Sequence, residues 1–498
     1  MKVLGIVIEA NPFHNGHKYF IDKCIEQLNP DLVIAITSTS FTMRGELSLL
    51  NKFDKTKILL NNGVDIVIEL PFSQAVQSAD FFAKASINNL NQLNITDLAF
   101  GCECTDKQTL EKFVKIIQSD EFKNEFSQNK SFSLSLKDSY SNVLSKYLND
   151  EEIEIVVEVM GGVEPALTFI TKALKAGKNV VSANKELIAK QWTVIDSVAR
   201  ENNVGFYHEA SCVGGVPVIR VLNESLQGDN LVSVTGIING TTNYILTKMT
   251  EEGISYEEAL AQAQKLGYAE FNPTADVEGY DAMYKLSILS SLAFKTCIPY
   301  TEVSREGITQ VSLDEIEYAK KMGYVIKLLA IGTKFGNKVE VRVHPTAVKQ
   351  THPLGVVNDS YNAVVVKGDF VDNVMLYGRG AGARPTGSAI VSDIIYCIKR
   401  TTPLYPPFEN NGKLAEGIEI VKDSYSKYFV VLSVKRADAD KVLTTFIEGN
   451  DVVKEYKYDL KSETLTLVTK NIAESKLSGI LNGIKDVSKV LMNRKAVL

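Results

Sequence analysis

The sequence predicts an α/β chain made of several separately folded units, and three observations carry that expectation. Short apolar runs at residues 3–8, 32–36 and 66–70 alternate with helix-length segments at 18–27 and 55–61, the rhythm of βαβ units on a parallel sheet. That rhythm lapses into polar text rich in Ser, Lys, Asn and Asp at 118–150 and restarts with IEIVVEVM at Ile153. With 498 residues and 45% apolar content, the chain can bury two or three cores rather than one.

Each later element follows from its own text. After Ile153 come a buried strand, a glycine turn, a helix running to Ala176, a strand at 179–182 and further helical text. Beyond Arg400 the stretch TTPLYPPFENNGK breaks the pattern, and about 70 residues then read strand, helix, two strands, helix, strand, a βαββαβ order. The net charge of −6 offers no general basic surface for a phosphate backbone, so nucleic acid is not an expected partner. Cys24, Cys102, Cys104, Cys212, Cys297 and Cys397 lack zinc-like spacing and read as reduced thiols. No run reaches the roughly 18 apolar residues of a membrane span, and a cytoplasmic protein is expected.

Chemistry concentrates in AQKLGYAEFNPTADVEGYDAMYKLSILSSLAF, where Glu270, Asp276, Glu278, Asp281 and Lys285 crowd around Gly267, Pro273 and Gly279. Asp281 and Lys285 are four apart, so a helix places them on one face, where both can reach a bound molecule. A solvated ion pair is the plainer reading of such spacing. The continuation LSILSSLAF, however, is too apolar for a surface helix.

This stretch resembles the signature of homoserine dehydrogenases. The resemblance extends over roughly 250 residues through VVEVMGGVEPA, VVSANKELIAK, HEASCVGGVPVIRVL, GIINGTTNYILTKM, VRVHPTAV and YGRGAGARPTGSAIVSD, in the family's order. It implies an NAD(P)-dependent oxidoreductase interconverting L-homoserine and L-aspartate 4-semialdehyde. By the same resemblance, Glu270 and Asp281 would bind the substrate with Asp276 nearby, and Lys285 would give and take the proton. Lys185 would stand between substrate and nicotinamide, and a lysine so close to Lys285 is expected to lower its pKa, with Asp281 opposing. Gly161, Gly267 and Gly382 would border the cofactor. Glu209, Cys212, Gly214 and Val216 match positions that hold a monovalent cation such as Na+, largely through backbone carbonyls, with Cys212 where the family usually has valine. Asn239-Gly240 reads either as a hairpin turn or as part of a substrate or cofactor contact.

The family's glycine-rich Gly-x-Gly-x-x-Gly turn should precede IEIVVEVM, and different text stands there. Gly378-x-Gly380-x-Gly382 imitates that fingerprint but corresponds to a return loop near the nicotinamide. Instead the chain opens with IEANPFHNGHKYFIDKC, which sets His14 and His17 at a helix start after a strand, where nucleotide phosphates can be met. With MRGELSLLNKFDKTKILLNNGVDIVIELPF and LAFGCE around Gly101, residues 1 to about 145 resemble tRNA(Met) cytidine acetate ligase, a nucleotidyltransferase-like enzyme that uses ATP. Neither family is represented whole, so the chain reads as a chimera joined near residues 144–150.

The expected units are a nucleotidyltransferase-like fragment at 1–145, a partial Rossmann domain at 151–226, a substrate domain at 227–400 and a module at 427–498. The last resembles the ACT domain of many homoserine dehydrogenases, which implies a homodimer. Its first loop, VKRADADKVL, lacks the usual glycine, so a strained residue is expected there. A weakened cofactor site and an uncovered edge at the strand after Ile153 are also expected. The alternatives to a dehydrogenase are an ATP-dependent ligase-like protein and a non-catalytic chimera.

Overall fold

The computed structural model describes residues 1–38, 48–71, 75, 79–100, 153–447 and 451–497. The chain divides into two compact units, Met1–Ser139 and Tyr140–Leu498. The expected seam at 118–150, together with Gly101, Cys102 and Cys104, lies outside the described residues.

In the first unit, β1 (Val3–Val7), α1 (Asn15–Leu28), β2 (Leu32–Thr37), α2 (Lys52–Leu60), β3 (Ile66–Glu69), α3 (Ala79–Gln92) and β4 (Asp97–Ala99) follow in order. The strands form a sheet in the order β3-β2-β1-β4, every pair parallel, with Val3 opposite Leu32. Alternation explains the continuous apolar text. Leu4, Ile6, Val33 and Ala35 pack to one side with Ile21 and Leu59, while Val3, Ile34 and Ile36 pack to the other with Leu90.

The second unit begins with β5 (Ile155–Glu158), α4 (Ala166–Lys175), β6 (Asn179–Ser182), α5 (Lys185–Glu201) and β7 (Phe206–Tyr207), a parallel sheet in the order β5-β6-β7. β5 is its edge. Val157 is 40% exposed and Val159 just beyond it 63%, so apolar surface stands open there.

The chain continues through β8 (Leu231–Ile237), α6 (Gly240–Glu252), α7 (Tyr256–Lys265), α8 (Tyr280–Phe294), α9 (Leu313–Lys321), β9 (Tyr324–Phe335), β10 (Lys338–Lys349), β11 (Tyr361–Gly368), β12 (Asp372–Arg379) and α10 (Ala383–Lys399). Last come β13 (Tyr425–Val434), α11 (Arg436–Ile447), β14 (Val453–Asp459), β15 (Thr464–Thr469), α12 (Glu474–Gly483) and β16 (Ser488–Val497). One large sheet runs β12-β11-β8-β9-β10-β16-β13-β15-β14. α8 is buried from Asp281 to Phe294 apart from Tyr284, as its apolar sequence requires. Each fully buried Leu or Ile there contributes about 1.5–3 kcal/mol.

The βαββαβ order of the last module is present, with two differences from expectation. The module is continuous with the rest of the unit: β16 pairs in parallel with β10, Thr346 opposite Lys495 and Val348 opposite Val497. Its helices cover one face, packing on Val430, Leu432, Phe446 and Leu477. Phe429, Val431 and Met492 on the other face join the main core. Nor is the glycine-free loop strained, because no residue at 434–438 has a positive φ and Lys435 O accepts directly from Asp438 N at 2.9 Å and Ala439 N at 3.1 Å. The strand enters the helix without a left-handed residue, so no glycine is needed.

Candidate active site

The buried start of α8 and the loop after β8 build the charged cluster. Lys285 Nζ donates to Asp281 Oδ2 at 2.7 Å and to the Ile238 carbonyl at 2.9 Å. Lys185, first residue of α5, brings Nζ to 3.2 Å from Asp281 Oδ1. Asn239 Nδ2 donates to Asp281 Oδ2 at 2.9 Å and to Asp276 Oδ1 at 2.7 Å. Asp281 and Lys285 are nearly closed to water, whereas the Lys185 side chain is 43% exposed. Lys285 has three N–H donors and uses two, leaving one for a ligand.

The electrostatics follow from this arrangement. Burial alone would push Asp281 up, but the two lysine charges outweigh it and hold the carboxyl well below the usual carboxylate range. Lys185 is raised, chiefly by the Asp281 charge, against the lowering effect of burial. Asp281 separates it from Lys285. Asp276 is pushed up by burial and then by the Asp281 charge.

The turn after β5 joins this cluster through a relay. Glu158 accepts from Ser182 Oγ at 2.6 Å and from Met160 N at 2.6 Å, and Asn184 Nδ2 donates to Gly162 O at 2.7 Å. Asn184 Oδ1 also caps α5 by accepting from Leu187 N at 3.1 Å, which places Lys185. Gly161 and Gly162, both at positive φ, leave open space where a side chain would stand. This turn and Lys185 stand at the ends of parallel strands β5 and β6, the position at which ligands of α/β sheets bind.

Other predicted residues fall differently. Glu270 is exposed, and among the described residues its carboxylate bonds to nothing; its neighbour Phe271 is 99% exposed. Gly267 ends α7 at φ 76°, with Gly267 N and Tyr268 N bonding back into the last turn, so helix termination accounts for it. Gly382, at φ 111°, precedes the N-terminus of α10. Asn239 is no hairpin residue: it caps α6 through Thr242 N at 2.9 Å and holds both acids. Its hub position is invisible in sequence because Asp276 and Asp281 lie 37 and 42 residues away.

Residues 217–395 match the sequence profile of homoserine dehydrogenase. A homoserine dehydrogenase of Lactococcus lactis is 35% identical over 430 residues, covering 82% of this chain and 99% of the relative. The chain belongs to the homoserine dehydrogenase family. That of Bacillus subtilis is 38% identical over 360 residues, covering 69% of this chain and 81% of the relative. Among solved structures, a homoserine dehydrogenase from Thiobacillus denitrificans superposes with a TM-score of 0.64 at 25% identity, covering 100% of this chain and 98% of that one. One from S. aureus gives 0.59 at 26% identity and covers all of both chains. Residues 1–176 match the profile of HIGH nucleotidyl transferases.

The homoserine dehydrogenase family is one of NAD(P)-dependent oxidoreductases, and the glycine turn after β5 leaves its backbone open for a bound group to approach, with Lys185 exposed at the start of α5. The loop of Glu209, Cys212, Gly214 and Val216 folds against the α10 approach, with Gly215 N donating to Arg379 O at 3.1 Å. Glu209 accepts from Ile219 N and Arg220 N, both at 2.8 Å, and burial pushes it up to about 7. Burial pushes the Cys212 thiol up to about 12, so it stays protonated and is no thiolate ligand. No group of three or more His, Cys, Asp or Glu is placed for a metal among the described residues. What remains is carbonyl oxygen and one carboxylate, a hard donor set of the kind a hard cation takes.

In the first unit, His14 and His17 meet at the start of α1, their rings stacked with centroids 3.8 Å apart. His14 Nδ1 accepts from Gly16 N at 3.1 Å and His17 Nδ1 from His14 N at 3.3 Å. Burial, then the His14 charge, lowers the His17 pKa.

Proposed function

We propose that this chain interconverts L-homoserine and L-aspartate 4-semialdehyde, with the proton handled by Lys285. The observation that carries the reading is Asp281, buried and ionised between Lys285 and Lys185. Lys285 points its remaining N–H at the substrate oxygen, gives a proton as the aldehyde is reduced and takes it back in the reverse direction. Asp281 holds Lys285 in place, with Asn239 fixing the carboxylate. Asp276 and Glu270 receive the substrate ammonium, Glu270 from an open loop that a ligand can order. Lys185, Gly161 and Gly382 border the nicotinamide, and Gly267 acts by ending α7. NAD(P), when bound, supplies or accepts the hydride.

Glu209, with the carbonyls of Cys212, Gly214 and Val216, holds a monovalent cation such as Na+. The functional form is a homodimer in the cytoplasm, and the module at 427–498 is ACT-like. Among the described residues no helix is long and apolar enough to cross a membrane. The first unit retains ATP affinity through His14 and His17, supported by their pairing at the N-terminus of a 14-residue helix.

Homoserine-dependent reduction of NAD or NADP by the purified chain tests the reading. Turnover that disappears in Lys285→Met is expected; no turnover with either cofactor, or an active Lys285→Met, rejects it. Calorimetry with ATP on the wild type and His17→Ala tests the first unit separately.

A further inference from the structure

A closed circuit of hydrogen bonds joins the glycine turn after β5 to the start of α5. Glu158, the last residue of β5, lies directly opposite Ser182, the last residue of β6. Its Oε1 accepts from Met160 N and its Oε2 from Ser182 Oγ, both at 2.6 Å. Ser182 Oγ in turn accepts from Asn184 N at 3.1 Å, and Asn184 Nδ2 donates to Gly162 O at 2.7 Å. The circuit thus grips the turn at both ends, Met160 and Gly162, and passes through the residue that precedes Lys185.

Its members are closed to water: Glu158 is 4% exposed, Asn184 6% and Ser182 not at all. A carboxylate is costly to bury, and two short hydrogen bonds offset that cost here. The donors dictate the residue type. Met160 N–H and Ser182 O–H both point at Glu158, while Ser182 Oγ is already taken as an acceptor by Asn184 N–H. The position therefore calls for two acceptor oxygens and no donor, which an ionised Glu supplies and a Gln does not.

What the circuit fixes is open surface. Gly161 and Gly162, at positive φ, face free space where side chains would stand. Lys185 is half-exposed and reaches Asp281 Oδ1 at 3.2 Å. A buried network that ends on two open elements serves their placement relative to each other, because neither needs it to fill a core.

We propose that Glu158, acting through Ser182 and Asn184, is a positioning residue of the reaction, setting the glycine turn and the Lys185 ammonium in one frame. The inference rests on the reading of Lys185 as a neighbour of the reacting atoms and adds the group that puts it there. A molecule bound at the turn then lies at a fixed place relative to Lys185.

Acetylation of the full chain by acetic anhydride at about pH 8, followed by peptide mass spectrometry, tests the placement without any need for turnover. Only the neutral amine reacts, and the Asp281 charge keeps Lys185 protonated. In Glu158→Gln and in Ser182→Ala, Lys185 loses its hold on Asp281 and should react about two- to fivefold faster, the range a half-exposed ion pair commands. The exposed Lys175, at the end of α4, should keep its rate. The kcat for homoserine should fall about tenfold or more while KM changes less than about twofold. Urea unfolding followed by Trp192 on α5 identifies the folded variants, and if one of the two is not folded the other decides. Lys185 reacting at the wild-type rate in a folded variant, or Lys175 accelerating equally, overturns the proposal. A wild-type chain without turnover rejects the dehydrogenase reading alone, and the acetylation rates then decide this one.

Discussion

Asp281→Asn tests the cluster most directly. Asn has nearly the same shape but brings one acceptor oxygen and no charge, so Lys285 keeps the Ile238 carbonyl and loses its counter-ion. At a separation near 4 Å and an effective dielectric of about 20, two unit charges interact by about 4 kcal/mol, and breaking a buried pair costs about 3–5 kcal/mol. The half-open Lys185 adds little, roughly 0–1 kcal/mol, because water screens it. We expect a total loss of about 3–5 kcal/mol at neutral pH. The folded pKa of Asp281 is depressed, so its stabilisation is complete above the unfolded value of about 3.9 and fades as the pH falls through the lower folded value. The variant should lack that component of the acid limb. Trp192, the chain's single tryptophan, sits on α5, so its fluorescence in urea follows this unit. Because Asp281 orients Lys285, kcat should fall about 10²–10⁴-fold. Loss of less than about 0.5 kcal/mol would refute the ion-pair argument, and an unchanged kcat would refute the role of Asp281.

Three further outcomes follow. Gly214→Ala should cost about 2–5 kcal/mol, from a left-handed backbone and a methyl 2.4 Å from Gly380 O, while Gly161→Ala, left-handed but facing open space, should cost about 1–2 kcal/mol; equal losses by the same fluorescence would contradict this. In buffer free of Na+ and K+, Glu209 binds its proton more tightly folded, so it makes stability decline as the pH rises from about 4.3 towards about 7; Glu209→Gln should flatten that decline in a urea series across this range, and an unaltered slope would count against it. NADPH titration by fluorescence should give a Kd near or above about 1 mM, because residues before β5 contain no glycine-rich βαβ turn, and replacing residues 1–150 with such a segment should lower the cofactor concentration that turnover requires; micromolar binding by the unaltered chain would refute this reading of the junction.

Local pattern made much of this readable. The four-residue spacing of Asp281 and Lys285 and the apolar tail of α8 foretold a buried pair, and the strand at 179–182 has the predicted bounds. The arrangement of the two lysines was less accessible. Their proximity and the opposing charge of Asp281 were both expected, but that the carboxylate lies between the two ammonium groups, one oxygen to each, is a three-dimensional fact that spacing along the chain does not carry. Asn239 was hidden for a related reason, since Asn-Gly signals a hairpin and a helix cap with similar chemistry. The relay from Glu158 through Ser182 to Asn184 spans two strands, and only their parallel register aligns it. Gly267 shows the converse: a glycine in a functional motif whose left-handed angle is fully explained by a helix end.

The pairing of β10 with β16 bears on how the chain folds. Thr346 and Lys495 are hydrogen-bonded neighbours separated by 149 positions, whereas β13, β15 and β16 find one another within about 70 residues. Closing the longer loop costs more chain entropy and gives no reward until both strands exist, so local pairing comes first. The final module should assemble as a preformed edge and then zip onto β10, making the central sheet's completion a docking event. A slow refolding phase of the full chain, followed by far-ultraviolet circular dichroism and absent from isolated residues 421–498 followed in the same way, would be its kinetic signature.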